Sequence, residues 1–261
     1  MSNKETFGKT IGVVLAVCLV CSIIVAGSAV GLRETQLANK AKDKQNNILA
    51  VAGLQTDKSN KEIFSSNIET RLVDLSTGNF AQDVTAAEIT DYDQRKAAKD
   101  PKRSSKLSPE ENVASIGRVA DLATVYLVSD DQGKLQRLIL PVHGAGLWST
   151  MYAFVALKTD GNTIEAITYY EQGETPGLGG EVENPRWVKL WPGKELFDAQ
   201  WNPAIKVVKG EVAADSKHEI DALSGATLTS AGVQNTFTFW FGEQGFGPFL
   251  NKFRQGALTN G

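Results

Sequence analysis

One segment, 221–230 (DALSGATLTS), brings hydroxyl, carboxyl and very small side chains together within ten positions. It holds one carboxylate (Asp221), two small residues (Gly225, Ala226) and four hydroxyls (Ser224, Thr227, Thr229, Ser230). The run that follows predicts a helix over 229–242, with Thr229 or Ser230 as its N-cap. A phosphate just ahead of such a helix would meet unused N–H groups and the positive end of the helix dipole. Because no histidine stands in the segment to activate it, Thr227 is predicted to receive an anionic group rather than to attack one.

Two glycine-rich loops are the other candidates for ligand binding. They are 141–150 (PVHGAGLWST) and 172–184 (QGETPGLGGEVEN). Glycines let main-chain N–H groups face a flat ligand at contact distance. Loops of this composition are also common without any ligand. Neither has the spacing and strand–loop–helix order of a dinucleotide-binding G-x-G-x-x-G motif.

The two histidines of the chain, His143 and His218, leave a hydrolytic function open. Either one could serve Ser224 or Thr227 as a general base, although no nucleophile-elbow motif accompanies them. A structural role for both is the other reading, since geometry must support any assignment of a base. A third class, a non-enzymatic binding module whose glycine loops hold a ligand, is also compatible with these residues.

The elements that must position these residues are predicted from hydrophobic patterns. Strands are expected at 69–80, 122–128, 134–142, 150–158, 163–171 and 204–210, and helices at 184–191, 229–242 and 247–256. Asp160-Gly161 predicts a hairpin turn between two of these strands. The charged segment 89–112 predicts a surface helix and loop, or an insertion on the core fold. Strands and helices that do not alternate as β-α-β units indicate an α+β fold with an antiparallel sheet and flanking helices.

An uncharged run at 10–32 (TIGVVLAVCLVCSIIVAGSAVGL) differs from the rest of the chain. It is long enough to span a bilayer core of about 30 Å, and it is longer than the apolar part of most secretory signal peptides, the competing interpretation. The lysines and arginines on its two sides do not decide its orientation. Cys18 and Cys21 are interpreted as small apolar residues of this helix. Gly27 and Gly31 are compatible with a helix-packing face and equally with the ordinary frequency of glycine in membrane spans.

Amino-acid composition limits the kinds of function that remain open. The 261 residues are 42% hydrophobic and 22% charged, with a net charge of −3, which is ordinary for a globular protein. No patch of lysine and arginine interleaved with aromatic residues is present, so a nucleic-acid partner is not expected. The sequence predicts no metal site either, because the two cysteines lack further ligands at a suitable spacing.

The pattern Asp221-x-x-Ser224-Gly225-Ala226-Thr227 resembles the flavinylation signature of the FMN-binding domain family. The chain as a whole resembles the C-subunit family of the Na⁺-translocating NADH:quinone oxidoreductases, through 45–54, 144–154, 174–181, 224–230 and the apolar span. The resemblance implies that a separate, Mg-dependent flavin transferase acting on FAD esterifies Thr227 to the phosphate of FMN. It also implies a set of residues that line the isoalloxazine ring: Leu147, Trp148, Glu174, Thr175, Gly177, Leu178 and Gly179.

The same resemblance implies where the chain works. It predicts a cytoplasmic N-terminus at 1–10, a transmembrane helix at 11–32, a juxtamembrane helix and the first part of the soluble region at 33–120, and a periplasmic, covalent FMN-binding domain at 121–261. The chain would belong to a bacterial inner-membrane complex of six subunits that carries electrons from NADH to ubiquinone and exports Na⁺. The G subunit of the related ferredoxin:NAD⁺ complex is the alternative. Segments 45–54 and 69–112 favour the sodium pump. Without a nucleotide-binding motif, the isolated chain is expected to have no NADH activity.

Overall fold

The structure is a computed structural model that describes residues 7–54, 59–210, 212–213 and 215–257. Its α-helices are α1 Phe7–Gly31, α2 Arg33–Val51, α3 Asn60–Asn67, α4 Ala86–Asp91, α5 Gln94–Ala97, α6 Pro185–Val188, α7 Thr227–Trp240 and α8 Gly247–Arg254. Its strands are β1 Ile68–Asp74, β2 Asn79–Phe80, β3 Ser104–Lys106, β4 Arg118–Ala120, β5 Leu122–Ser129, β6 Leu135–Ala145, β7 Thr150–Lys158, β8 Ile164–Glu171, β9 Lys206–Val208 and β10 Glu219–Asp221. The chain divides into two compact units, Met1–Gln45 and Asn46–Gly261.

The first unit contains α1 and most of α2. Helix α1 has 25 residues, which at about 1.5 Å per residue is enough to cross a bilayer. None of its residues is buried by other parts of the protein. The expected span 11–32 therefore lies almost entirely within one long, exposed, apolar helix, although part of the expected N-terminal segment 1–10 lies outside the described residues.

A six-stranded antiparallel sheet, in the order β2-β1-β5-β6-β7-β8, forms the centre of the second unit. Strands β6 and β7 pair over nine positions, from Arg137 opposite Lys158 to Ala145 opposite Thr150. The predicted hairpin at Asp160-Gly161 joins β7 to β8: the carboxylate of Asp160 accepts the N–H groups of Asn162 and Thr163, each at 2.8 Å. The predicted α+β fold with an antiparallel sheet and flanking helices is confirmed.

Both faces of the sheet are covered. Successive side chains of each strand point to opposite faces, so one strand contributes to two separate clusters. On β7, Met151, Ala153, Val155 and Leu157 belong to the larger core, which also includes Val233, Phe237 and Trp240 of α7. Phe154 and Ala156 point to the opposite face. There they contact the apolar residues at the end of α2 and on α3: Ile48, Leu49, Val51, Ala52 and Ile63.

An arginine fixes the end of α2 to the second face of the sheet. Arg137 on β6 donates to both carboxylate oxygens of Glu165 on β8, and its remaining terminal nitrogen donates to the carbonyl of Ala52. Gly53 then ends the helix with a positive φ of 67°, and the N–H of Leu54 reaches back to the carbonyl of Leu49. This is the hydrogen-bond pattern of a glycine C-cap. Segment 45–54 thus helps to build the second unit, in addition to connecting it to α1.

Several predicted elements differ from the observed ones. The strand predicted at 69–80 is interrupted after Asp74, whose carboxylate accepts the N–H groups of Ser76 and Thr77 and forms a turn. Segment 89–112 forms the end of α4, α5 and β3, and 204–210 contains only the short β9, parallel to β10. Strand β1 pairs with β5 along its whole length, so residues on both sides of position 120 belong to one sheet.

Candidate functional site: an exposed threonine at a helix N-terminus

The segment that carries the predicted attachment residue forms the turn from β10 into α7. Gly225 has a φ of +71°, in the left-handed region that favours glycine, and so reverses the chain within one residue. Ser224, Gly225 and Thr227 are exposed, whereas Ala226 is buried. Thr227 is the first residue of α7 and points into solvent at the end of a fourteen-residue helix.

The prediction that Thr229 or Ser230 caps this helix is wrong. Helix α7 begins two residues earlier, with Ala226 at the N-cap position, because both hydroxyls serve other parts of the fold. Thr229 donates to a carboxylate oxygen of Glu174 at 2.6 Å, and the hydroxyl of Ser230 accepts the N–H of Leu223 at 3.0 Å. Both residues are buried. Of the four hydroxyls at 224–230, only those of Ser224 and Thr227 are exposed.

The N-terminus of α7 retains donors for an anion. The helical bonds begin with the N–H of Ser230, which donates to the carbonyl of Ala226. The amides of Thr227, Leu228 and Thr229 precede that bond and have no carbonyl partner within the helix. The side chain of Ala226 cannot accept a hydrogen bond, so it does not cap them. These amides and the helix dipole make the neighbourhood of Thr227 favourable for a phosphate.

Close contacts with β6 fix the direction of α7. A Cβ at Gly232 would collide with the carbonyl of Ala145, and a Cβ at Gly144 would collide with the hydroxyl of Thr236. One turn further on, the indole N–H of Trp240 donates to the carbonyl of His143 at 2.6 Å. The end of β6 therefore follows α7 towards its N-terminus and brings loop 146–149 beside turn 224–227, which we call the attachment turn because it carries the predicted attachment residue.

Glu174 holds three segments of the site together. Its carboxylate accepts the N–H groups of Leu147, Trp148 and Ser149 at 2.9–3.0 Å, in addition to the hydroxyl of Thr229. Burial acts to raise the pKa of Glu174. The hydrogen bonds from Thr229 and the three amides outweigh that effect and lower the pKa below its ordinary value. The side chain is thus ionised and directed inward, where its oxygens contact protein groups.

The loop after Glu174 is shaped by its glycines. Gly177 has a φ of +75°, and its α-carbon faces open space. Gly179 is buried against the Glu174–Thr229 pair, where a Cβ would lie 2.5 Å from the hydroxyl of Thr229. The carbonyl of Thr175 accepts the N–H groups of Leu178 and Gly180, which closes the loop on itself. This conformation exposes Leu178 and places its Cδ2 atom 3.0 Å from where a Cβ of Gly225 would lie.

The segments linked to the turn at 224–227 carry exposed apolar side chains. In the described part of the second unit, five large hydrophobic residues are exposed: Val113, Leu147, Trp148, Leu178 and Leu228. Four of them stand on the segments joined by Glu174 and by the Leu178–Gly225 contact, and we call Leu147, Trp148, Leu178 and Leu228 the apolar rim. Trp148 is 71% exposed and Leu228 is 63% exposed. Apolar groups exposed together on a soluble surface are typical of a binding site.

The remaining motif residue, Asp221, lies on β10 close to the attachment turn. One of its carboxylate oxygens accepts the N–H of Val212 at 3.2 Å, and its carbonyl accepts the indole N–H of Trp187 at 2.8 Å. The side chain is half-buried and has a second carboxylate oxygen. These contacts anchor β10 and so hold the start of the turn that presents Thr227.

His143 does not have the position of a general base for Thr227. His143 stacks on Tyr152 and packs against Trp240, which is the last residue of α7. Thirteen residues of helix separate Trp240 from Thr227, or about 20 Å at 1.5 Å per residue. Burial and the charge of Arg95 lower the pKa of His143 to about 4. The Nδ1 atom of His218 lies 2.9 Å from the carbonyl of Glu195. Nothing in this geometry favours the hydrolase interpretation.

Comparison with known proteins decides the family. The chain is 58% identical to the C subunit of the Na⁺-translocating NADH-quinone reductase of Vibrio alginolyticus over 99% of both chains, and 52% identical to the Yersinia pestis protein of the same name, over 99% of this chain and 97% of that one. The chain belongs to this C-subunit family. The crystal structure of Shewanella oneidensis NqrC matches 84% of this chain and 99% of its own, at 40% identity and a TM-score of 0.77. The predicted C-subunit family is confirmed over the alternative of a G subunit.

The FMN-binding domain of this C-subunit family member is matched over residues 146–241. That range contains the apolar rim, Glu174 and the attachment turn, so the site described above coincides with the matched domain. Sequence reasoning did not identify Leu228, Thr229 or Gly146 as site residues. Leu228 had a visible signal, since it is an apolar residue directly after the exposed threonine. Thr229 and Gly146 belong to the site only through Glu174, a contact between distant parts of the chain.

Proposed function

We propose that this C-subunit family member is the electron-carrying flavoprotein subunit of a Na⁺-translocating NADH:ubiquinone reductase, with FMN bound covalently through a phosphoester to Thr227. The observation that carries the proposal is the position of Thr227. Its hydroxyl is exposed at an uncapped helix N-terminus, within the apolar rim and inside the matched FMN-binding domain.

The residues present fit both ends of an FMN molecule. The first-turn amides of α7 suit the phosphate, whose negative charge the helix dipole stabilises by about 0.3–1 kcal/mol. The apolar rim suits the isoalloxazine ring, since it offers exposed apolar side chains on the segments linked to the attachment turn. We assign ring contacts to Leu147, Trp148, Thr175, Gly177 and Leu178. Gly179 and Glu174 are buried, so they would support the residues that line the ring without touching the ring themselves.

When bound, FMN supplies one- and two-electron redox chemistry, which none of the side chains of this site can provide. The protein would contribute a fixed tether, apolar shielding of the ring and backbone donors near its edge. A tether on the ribityl phosphate leaves the ring free of covalent substitution. Its redox potential would therefore be set by burial, hydrogen bonding and nearby charge in the loops at 146–149 and 174–179.

The exposure of Thr227 also suits attachment by a separate enzyme. A flavin transferase acting on FAD would join the threonine oxygen to the phosphorus of the FMN half. The linkage between the two phosphates of FAD would break, AMP would leave, and the hydroxyl proton of the threonine would be released. Asp221, Ser224, Gly225 and Ala226 would present the threonine: Asp221 anchors β10, and Gly225 makes the turn. Thr229 and Ser230 would not compete, because their hydroxyls are buried and hydrogen-bonded.

Membership of the C-subunit family also supports a proposal for where the chain lies in the cell. We propose that α1 anchors the chain in the bacterial inner membrane by a single pass and that the FMN-binding domain lies on the periplasmic side. Its partners would be the other members of a complex of six subunits, which couples electron transfer from NADH to ubiquinone with Na⁺ export. The apolar, exposed surface of α1 supports a membrane position.

The decisive experiment is to look for flavin on the denatured chain. The full chain is co-expressed with a flavin transferase, separated on a denaturing gel and viewed under ultraviolet light, and its 218–252 tryptic peptide is weighed by mass spectrometry. Thr227→Ala should give a dark band and a peptide without FMN. Thr238→Ala, which removes another exposed threonine of α7, should remain fluorescent. A fluorescent Thr227→Ala chain, or a wild-type peptide at its bare mass, would refute the assignment.

A further inference from the structure

Glu174 is the most heavily used buried polar side chain of the site. It is only 5% exposed, and its two carboxylate oxygens accept three backbone N–H groups and the hydroxyls of Thr229 and Ser149. Oε2 accepts the N–H of Leu147 at 3.0 Å and the hydroxyl of Thr229 at 2.6 Å. Oε1 accepts the N–H groups of Trp148 and Ser149 at 2.9 and 3.0 Å. One side chain therefore connects its own loop to loop 146–149 and to the first turn of α7.

Two glycines leave room for this connection. A Cβ at Gly146 would lie 2.6 Å from Oε1 of Glu174, and a Cβ at Gly179 would lie 2.8 Å from Oε2. The three segments can approach one another this closely only because both positions lack a side chain. Ser149 adds a further link, since its hydroxyl accepts the N–H of Gly173 at 2.7 Å. The carboxylate thus joins the three segments that carry all four residues of the apolar rim.

We propose that Glu174 is the positioning residue of the flavin site: it acts through the segments that it joins and does not touch the ring. By fixing loop 146–149 and the 174–179 loop against the turn that carries Thr227, it sets the distance between the attachment point and the side chains that flank the ring. This inference rests on the proposed function and adds to it a residue on which the orientation of the bound flavin depends.

The chemistry of the site requires a carboxylate here. Each oxygen of Glu174 faces at least one backbone N–H, and backbone amides cannot reverse their polarity. An amide in place of the carboxylate must turn its own NH₂ group towards one of these donors, whichever way it is oriented. Glu174→Gln therefore keeps the size of the side chain, loses at least one hydrogen bond and leaves a buried donor unpaired.

The test uses the full chain co-expressed with a flavin transferase, in three variants. Glu174→Gln breaks the carboxylate contacts. Glu183→Gln is the matched control, because Glu183 is exposed on the same glycine-rich segment. Thr229→Val removes only the hydroxyl that donates to Oε2 and keeps the shape of the side chain. Mass spectrometry establishes loading at Thr227. The visible circular dichroism and the fluorescence anisotropy of the attached flavin then report whether the ring is held in one orientation.

Glu174→Gln is expected to lose most of the visible circular dichroism and to lower the anisotropy, whereas Glu183→Gln should match the wild type in both. Loaded Glu174→Gln protein with the wild-type signals would overturn the proposal. If Glu174→Gln does not fold or is not loaded, Thr229→Val decides: a reduced signal supports the proposal and an unchanged signal overturns it. A wild-type chain without covalent flavin would instead refute the proposed function, which keeps the two failures distinguishable.

Discussion

Thr227 and Thr229 stand two positions apart on the same helix and have opposite environments. Thr227 is exposed, whereas Thr229 is 1% exposed and donates to Glu174. The sequence alone pointed to Thr227 through the small residues before it and through the family signature. It could not show why Thr229 is excluded, because the reason is a carboxylate 55 residues earlier in the chain. The identity of a reactive group was thus predictable at the residue scale, and the environment that selects it was not.

The neutral, buried imidazole of His143 should make stability depend on pH. Its pKa of about 4 in the folded chain lies below its ordinary value of 6.5, so the folded state binds fewer protons than the unfolded state between those values. Stability is therefore full above about pH 6.5 and falls as the pH drops towards 4, by about 2–3 kcal/mol in total.

The measurement is denaturant unfolding of the full chain in detergent, at about pH 7 and about pH 4. His143→Phe is the reference, because phenylalanine can keep the packing between Tyr152 and Trp240 and does not titrate. The wild type should lose more stability than His143→Phe over this interval, even though the carboxylates of both chains titrate in the same range. Equal losses in the two chains would show that His143 does not contribute.

At the scale of elements, α7 shows that local sequence patterns can predict a helix without predicting the residue at which it begins. The hydrophobic run 229–242 predicted the helix correctly, but its start depended on how the hydroxyls of Thr229 and Ser230 are used. N-cap preference favoured those two residues, yet both hydroxyls bond to other segments and the helix begins at Thr227. That shift of two residues decides whether Thr227 lies before the helix or at its first position. The physical cause is hydrogen bonding to distant segments of the chain, which helix and N-cap propensities do not take into account.

A substitution at Gly232 tests whether its close contact with β6 positions α7. In an exposed helix, replacing glycine by alanine stabilises by about 1 kcal/mol. At Gly232 the new Cβ would collide with the carbonyl of Ala145 and push α7 away from β6. We expect Gly232→Ala to lower stability by about 1–3 kcal/mol, as overpacking does.

The control for that substitution is its neighbour. Ala231 is exposed on the same helix, so Ala231→Gly reports helix propensity without a change in packing and should cost about 1 kcal/mol. Thermal unfolding of both variants gives the comparison. If Gly232→Ala raises the melting temperature by as much as Ala231→Gly lowers it, helix propensity alone governs the position and the close contact with β6 is not needed.

For the molecule as a whole, the sequence predicted the fold class and the central hairpins better than the limits of the soluble unit. Strands β5 to β8 follow one another in the chain, so local patterns and turn residues were enough to place them. The contribution of β1, and of the last turn of α2, depends on contacts with β5 and with Phe154 far along the chain. Residues 45–54 were predicted as part of a juxtamembrane helix, and in the structure they complete the second face of the sheet.

Two truncated chains test whether that face needs the end of α2. A chain that starts at Asn46 lacks α1 but keeps Ile48, Leu49 and Val51, whereas a chain that starts at residue 55 lacks them. Burial of each such side chain contributes about 1.5–3 kcal/mol, so three of them approach the 5–15 kcal/mol that stabilises a typical domain. We expect the longer chain to be soluble, folded and loaded with flavin when the transferase is present. The shorter chain should aggregate or unfold at low denaturant, because Ile139 and Phe154 lose their cover. Equal denaturation midpoints for the two chains would mean that the end of α2 only connects the domain to the anchor.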